Sequence, residues 1–199
     1  MSVAPQPIGR RERNKQHKLE RIVAAAGELF AERGVDDVTT QQIADKADIG
    51  TGTLFLYAKS KAELLLLVQN STYAHALAVG RAAAADVTDP LDAVMAILRP
   101  VVECNRIQID NGRTYLREIV FGDPEEPNHR DALALTNETE SAIAEVLERS
   151  GIASDDAAAL ARIASAISYL SMAATVYASR PVDEIVDDIR GQVGVLLGR

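Results

Sequence analysis

The chain has 199 residues, 47% of them hydrophobic, with a net charge of -8 and a mean hydropathy near zero. That length allows one or two domains, and that composition excludes a disordered chain. No apolar run, the leucine-rich 64–68 included, approaches the ~20 residues of a membrane span, so no membrane role is expected.

The single Cys104 excludes an internal disulfide and fits a reducing compartment. The first residues contain no apolar stretch of a secretory signal, so a cytoplasmic protein is expected. Aromatic residues are few (4%) and Ala is abundant, which favours helix over strand and predicts an all-α fold.

Acidity overall argues against a nucleic-acid partner, but the charge is segregated. Residues 1–61 hold ten Lys/Arg against eight Asp/Glu, and residues 62–199 hold eleven against twenty-one. Phosphate binding needs a local basic surface, not a basic chain. Residues 1–13, with two Pro, one Gly and no periodicity, are expected to be a disordered N-terminal arm. Arg10 to Lys18 reads either as a solvated tail or as an arm that touches DNA.

Leu19, Ile22, Val23, Ala26, Leu29 and Phe30 then recur at helical spacing up to Gly34. Thr39-Thr40-Gln41-Gln42 has the spacing of a capping box. Ile43, Ala44 and Ala47 form an apolar stripe, and Asp48-Ile49-Gly50 breaks it as a turn. Thr51-Gly52-Thr53 opens a further helix, and Ser60-Lys61-Ala62-Glu63 is a second capping box. Helix, short turn, helix is the layout that reads the DNA major groove. Residues 14–60 are therefore expected to form a three-helix DNA-binding domain.

Residues 61–199 are expected to form a helical effector-binding and dimerisation domain, for about nine helices in all. The helix from Ser60 runs to about Ala84 and links the two units. Asp89-Pro90 starts the next, which continues towards Ile109 with Pro100 inside it, and Asn111-Gly112 is expected to break it. Thr114 to Val120, His129 to Arg149, Ala157 to Ala178 and a helix begun by Pro181 follow. The last pair is apolar over a broad surface, which fits either a core within the chain or a four-helix interface between two copies. The interface is preferred, because one helix-turn-helix per chain needs a partner for a second half-site. Its candidate residues are Leu160, Ile163, Ile167, Leu170, Ile185, Ile189, Val193 and Leu196.

Lys18 to Leu66 resembles the tetracycline-repressor (TetR) family of bacterial transcription regulators. The resemblance rests on Ala26-Gly27-Glu28-Leu29-Phe30 with Gly34, Thr39-Thr40, Ile43-Ala44, Gly52-Thr53-Leu54-Phe55-Leu56-Tyr57 and Ser60-Lys61-Ala62-Glu63-Leu64. It covers about a quarter of the chain and departs from the family pattern at Asp48, Gly50, Phe55 and Ala58. It implies DNA contacts from Thr40, from Thr51, Gly52 and Thr53, from Tyr57 and from Lys61. Elementary chemistry agrees. A Thr hydroxyl at a helix N-terminus suits a phosphate, and the adjacent Gln41 is long enough to reach a base edge. A cation at the Lys61 helix start is offset by a nearby phosphate. Capping for Thr39 and Thr40, solvation for Lys61 and packing for Tyr57 are the competing roles.

The expected function is a homodimeric repressor, released from a palindromic operator in double-stranded DNA by a small-molecule effector. Pocket candidates are Met95, Leu98, Val102, Asn105, Arg106, Tyr115, Ile119, Tyr169 and Met172, each of which also fits an ordinary core position. The lining is mainly apolar, so an apolar or amphipathic effector is expected. The alternative is a helical small-molecule-binding or protein-interaction dimer without DNA binding. His17, His75, His129 and Cys104 show no metal-ligand or nucleophile spacing, so neither an enzyme nor a cofactor is indicated.

Overall fold

The computed structural model describes residues 9–198, and residues 1–8 of the expected arm lie outside the described residues. Within them the protein is built from nine α-helices and one 3-10 turn, with no strand. The helices are α1 (Arg10–Arg33), α2 (Thr40–Lys46), α3 (Thr51–Leu54), α4 (Lys61–Ala84), α5 (Pro90–Arg106), α6 (Ile109–Phe121), α7 (Pro127–Arg149), α8 (Ser154–Ala173) and α9 (Val182–Leu196), with the turn at Thr175–Tyr177 before α9.

The centre of the molecule is α4. Leu64, Leu65 and Leu66 are consecutive in sequence, so they point in different directions around the helix, yet each is at most 1% exposed. A helix apolar all round is covered all round. Here α1 lies on one side and α5, α6 and α7 on the others. One continuous core runs from Ile22 through α4 to Val193 without a linker. Burial of each leucine contributes about 1.5–3 kcal/mol.

Local chemistry sets the ends of these helices. Gly34, at φ 78°, closes α1 with its N–H on the Phe30 carbonyl. The Asp89 carboxylate accepts from the Asp92 N–H at 3.0 Å to start α5. Arg149, in the last turn of α7, donates to the Ala84 carbonyl at 2.8 Å and so covers the end of α4.

Several boundaries differ from expectation. Residues 10–13 are helical, since α1 begins at Arg10. The α5–α6 break falls at Ile107-Gln108, where the Gln108 side chain caps α6 through the Asn111 N–H at 2.7 Å. Asn111-Gly112 therefore lies inside α6. Gly112 is there for space, because a Cβ would sit 2.1 Å from the Asn105 carbonyl oxygen. α8 ends at Ala173, short of the expected Ala178. In the second capping box Ser60 accepts from the Glu63 N–H, but the Glu63 carboxylate turns inward to the Asn128 amide at 2.7 Å.

The apolar face of α9 is the clearest correction. Ile185, Ile189 and Val193 are at most 2% exposed in the single chain, packed towards α5 and α8. No second copy can cover them. Leu160, Ile167 and Leu196 are half-buried. Of the expected interface only Ile163 (43% exposed) and Leu170 (68%) stand open. Ala159 and Ala166 are exposed beside them on α8, and Gly191 and Val195 on α9.

Candidate nucleic-acid interface and ligand pocket

The helix-turn-helix is assembled from interactions within its own segment and from braces supplied by α1, among them the Glu28–Lys46 pair at 2.7 Å. Thr39 and Gln42 form a full capping box. The Thr39 hydroxyl oxygen accepts from the Gln42 N–H at 3.2 Å, and the Gln42 side chain accepts from the Thr39 N–H at 2.9 Å. Thr39 is thereby a structural cap, and Thr40, half-buried, is the first helical residue. The turn to α3 requires a left-handed residue, and Asp48 supplies it at φ 52°. Arg21 of α1 braces that turn by donating to the Asp48 carbonyl at 2.9 Å.

Across the turn, the Thr51 hydroxyl donates to the Gln41 side-chain oxygen at 2.7 Å, and the Gln41 amide donates to Asp45 at 2.7 Å. The first turns of α2 and α3 are thus tied together. Gln41 and Gly52 are exposed, and Thr51 and Thr53 half-exposed. Gly50 starts α3 without a side-chain cap, and α3 closes after Leu54, which is buried beneath it.

Tyr57 is half-buried, with its hydroxyl 3.3 Å from the Lys15 carbonyl, to which it donates. Lys61 donates to the Asp36 carbonyl at 3.0 Å and has no ion pair among the described residues. Lys59 is paired with Glu126 at 2.6 Å, and the carboxylate raises the pKa of its ammonium. Thr40, Gln41, Thr51, Gly52, Thr53, Tyr57 and Lys61 therefore all lie on one small unit. Two further residues were not anticipated. Phe55 and Leu56, directly after α3, are 45% and 82% exposed. Their signal was present, as apolar residues flanking the buried Leu54 position.

The C-terminal part holds a small inner cavity of about 20 Å³, room for one water molecule. Leu98, Tyr115, Ile119, Tyr169 and Met172 line it, together with Tyr73, Thr136 and Ser168 among others. Tyr115 stacks on Tyr73 with centroids 4.2 Å apart and donates to Asn70 at 2.9 Å. Burial raises the pKa of both hydroxyls, so they stay neutral.

Four pocket candidates do not reach this cavity. Met95 and Val102 are core. Asn105 donates to the Tyr73 hydroxyl at 2.6 Å. Arg106 donates to the carbonyls of Tyr177, Ala178 and Arg180, where it closes the turn before α9. Burial first, and the neighbouring Arg113 second, lower its pKa.

An outer groove of about 630 Å³ runs along α6 and α8 on the other side of Tyr169, lined by Arg113, Thr114, Arg117, Val120, Phe121, Ala166 and Leu170 among others. Tyr169 lines both spaces, with its hydroxyl 2.7 Å from that of Thr136. Apart from Tyr169, the sequence reading missed this groove. Its signal was Val120-Phe121 at a helix end, and these residues are 59% and 82% exposed.

A capped, braced helix-turn-helix on a helical body is the layout of a DNA-binding transcriptional regulator. Residues 22–68 match the family described as "Bacterial regulatory proteins, tetR family". No curated protein matches the chain. Solved structures share its fold along almost its whole length. A TetR transcriptional regulator from Rhodococcus sp. RHA1 is 18% identical with a TM-score of 0.71, over 92% of this chain and 97% of that one. FadR from Thermus thermophilus, a TetR-family repressor in complex with lauroyl-CoA, is 24% identical with a TM-score of 0.69, over 88% and 92%. PfmR, a TetR-family regulator also from Thermus thermophilus, is 20% identical with a TM-score of 0.61, over 87% and 96%.

Proposed function

We propose that the protein is a cytoplasmic, homodimeric repressor that holds a palindromic operator until an amphipathic small molecule enters its C-terminal part. The observation that carries the reading is the Gln41–Thr51 bond, which joins the two helix starts facing outward. In this reading Gln41, Thr51 and Thr53 meet base edges, and Phe55 or Leu56 meets thymine methyls. Thr40, Lys61 and the Gly52 backbone meet phosphates, and Tyr57 holds the Lys15 carbonyl beside them. Two copies pair through Ile163, Leu170 and the small residues Ala159 and Ala166 beside them, with Val195 alongside.

The effector reading rests on Tyr169, between the outer groove and the small inner cavity. A ligand with an apolar chain would displace it and enlarge that cavity. The lauroyl-CoA complex of the Thermus thermophilus FadR supports this chemistry. The ligand acts only through its unequal affinity for the two arrangements of the dimer. Movement passes along α6, which carries Tyr115 and Ile119 at the cavity and Asn111 at the end of α1.

The test is capture of genomic DNA fragments by the full-length protein, then binding measured at rising salt. Counterion release makes the affinity fall steeply. Absence of any captured fragment, or salt-insensitive binding, overturns the reading.

A further inference from the structure

We propose that the first three turns of α1 form a phosphate-binding rail, which extends the DNA contact along the backbone beyond the helix-turn-helix. The inference rests on the DNA-binding reading above and adds to it a surface outside the segment of the family match, residues 22–68.

The argument starts from helix geometry. At about 100° per residue, Arg10, Arg11, Asn14, Lys15 and Lys18 all fall within an arc of about 140°. Ile22, Ala25 and Leu29, further along the same helix, fall within the same arc. Those three are at most 5% exposed, packed into the core. One face of α1 is therefore apolar where protein lies beneath it and cationic where the helix overhangs. A merely solvated overhang has no need of such a face, because mixed charges would serve as well.

The overhang also borders the candidate DNA face. Arg10, Arg11, Asn14, Lys15 and Lys18 line one open groove with Tyr57, and no carboxylate is among its described lining. The Tyr57 hydroxyl donates to the Lys15 carbonyl at 3.3 Å, which joins the overhang to the residues just after α3. The four cations are exposed and none has an ion pair among the described residues. In a chain of net charge -8, four unpaired cations converging on one groove select a dense polyanion. Adjacency to α3 selects the duplex backbone. Tyr57 accordingly has two tasks, to hold the rail and to border its groove.

The experiment compares the full-length protein with the variant R10Q/R11Q/K15Q/K18Q, after circular dichroism and thermal melting show that both are folded. Affinity is measured against salt on a captured genomic duplex and on a mixed-sequence duplex of equal length. The slope of log K against log salt is expected to fall by at least roughly 0.9 per chain, the equivalent of one phosphate contact, on both duplexes. The charge-preserving variant R10K/R11K/K15R/K18R is expected to keep the original slope. A smaller fall in the quadruple Gln variant overturns the proposal and leaves the DNA-binding reading intact. A changed ranking between duplex sequences overturns it too, because phosphate contacts do not rank bases. So does loss of binding to phosphatidylglycerol vesicles with an unchanged DNA slope. If the unaltered protein binds neither duplex, the DNA-binding reading itself fails and the rail with it.

Discussion

Asn111 and Phe30 lie 81 residues apart and are joined by a buried hydrogen bond, in which the Asn111 amide donates to the Phe30 carbonyl at 2.8 Å. The same side chain accepts from the Val35 N–H at 2.7 Å, so one carboxamide on α6 bridges both sides of the Gly34 corner. α6 also carries Tyr115 and Ile119, which line the inner cavity. The corner that ends α1 is thus held by the helix that borders the cavity.

Asn111→Ala leaves the Val35 N–H and the Phe30 carbonyl without their side-chain partner. Loss of about 1–3 kcal/mol in urea unfolding is expected. The response of DNA affinity to effector should weaken as well. An unchanged response with the stability loss present would limit Asn111 to a structural role.

Lys61→Ala should weaken binding to all duplexes roughly alike, and Gln41→Ala should change the ranking of sequences. Lys61 donates to the Asp36 carbonyl in the free protein, so its removal also loosens the loop after α1. Competition binding against a randomised duplex library separates the two effects. A changed ranking for the Lys61 variant would contradict its phosphate role.

Leu170→Glu or Ile163→Glu should give a folded monomer by sedimentation, since both side chains are exposed in the single chain. Ile185→Ala, by contrast, should cost roughly 2–5 kcal/mol of folding stability without separating the copies. A persistent dimer in the Glu variants would place the interface elsewhere.

Burial pushes the Cys104 thiol up from 9.0 to about 11. Between these values the unfolded chain releases the proton and the folded chain keeps it, so stability should fall as pH rises from 9 towards 11. Alkylation of native Cys104 at pH 9 should be much slower than that of the unfolded chain. Equal rates would show a thiol open to solvent.

Much of the reader was legible in the sequence because its determinants are local. The Thr39–Gln42 box, the turn around Asp48, and the Ser60 and Asp89 caps are each set by residues within a few positions of one another. The errors arose where distant chain decides. Asn111-Gly112 has turn chemistry, yet Asn111 serves the end of α1 and Gly112 fits against the Asn105 carbonyl. The helical spacing of Ile185, Ile189 and Val193 showed a buried face but carried no information on whose chain covers it. Arg106 was read as available to a ligand, and it is committed to three carbonyls of the turn before α9. Nothing in the local pattern distinguishes the small inner cavity from the larger outer groove, both of which Tyr169 lines.

The central claim is that two copies of this helix-turn-helix read one two-fold DNA site. Chemical footprinting of the full-length protein on a captured genomic fragment tests it most directly. Two protected stretches of equal length are predicted, related by a two-fold axis, with centres about 34–36 Å or a multiple apart. A single asymmetric stretch, or uniform protection along the fragment, would contradict it.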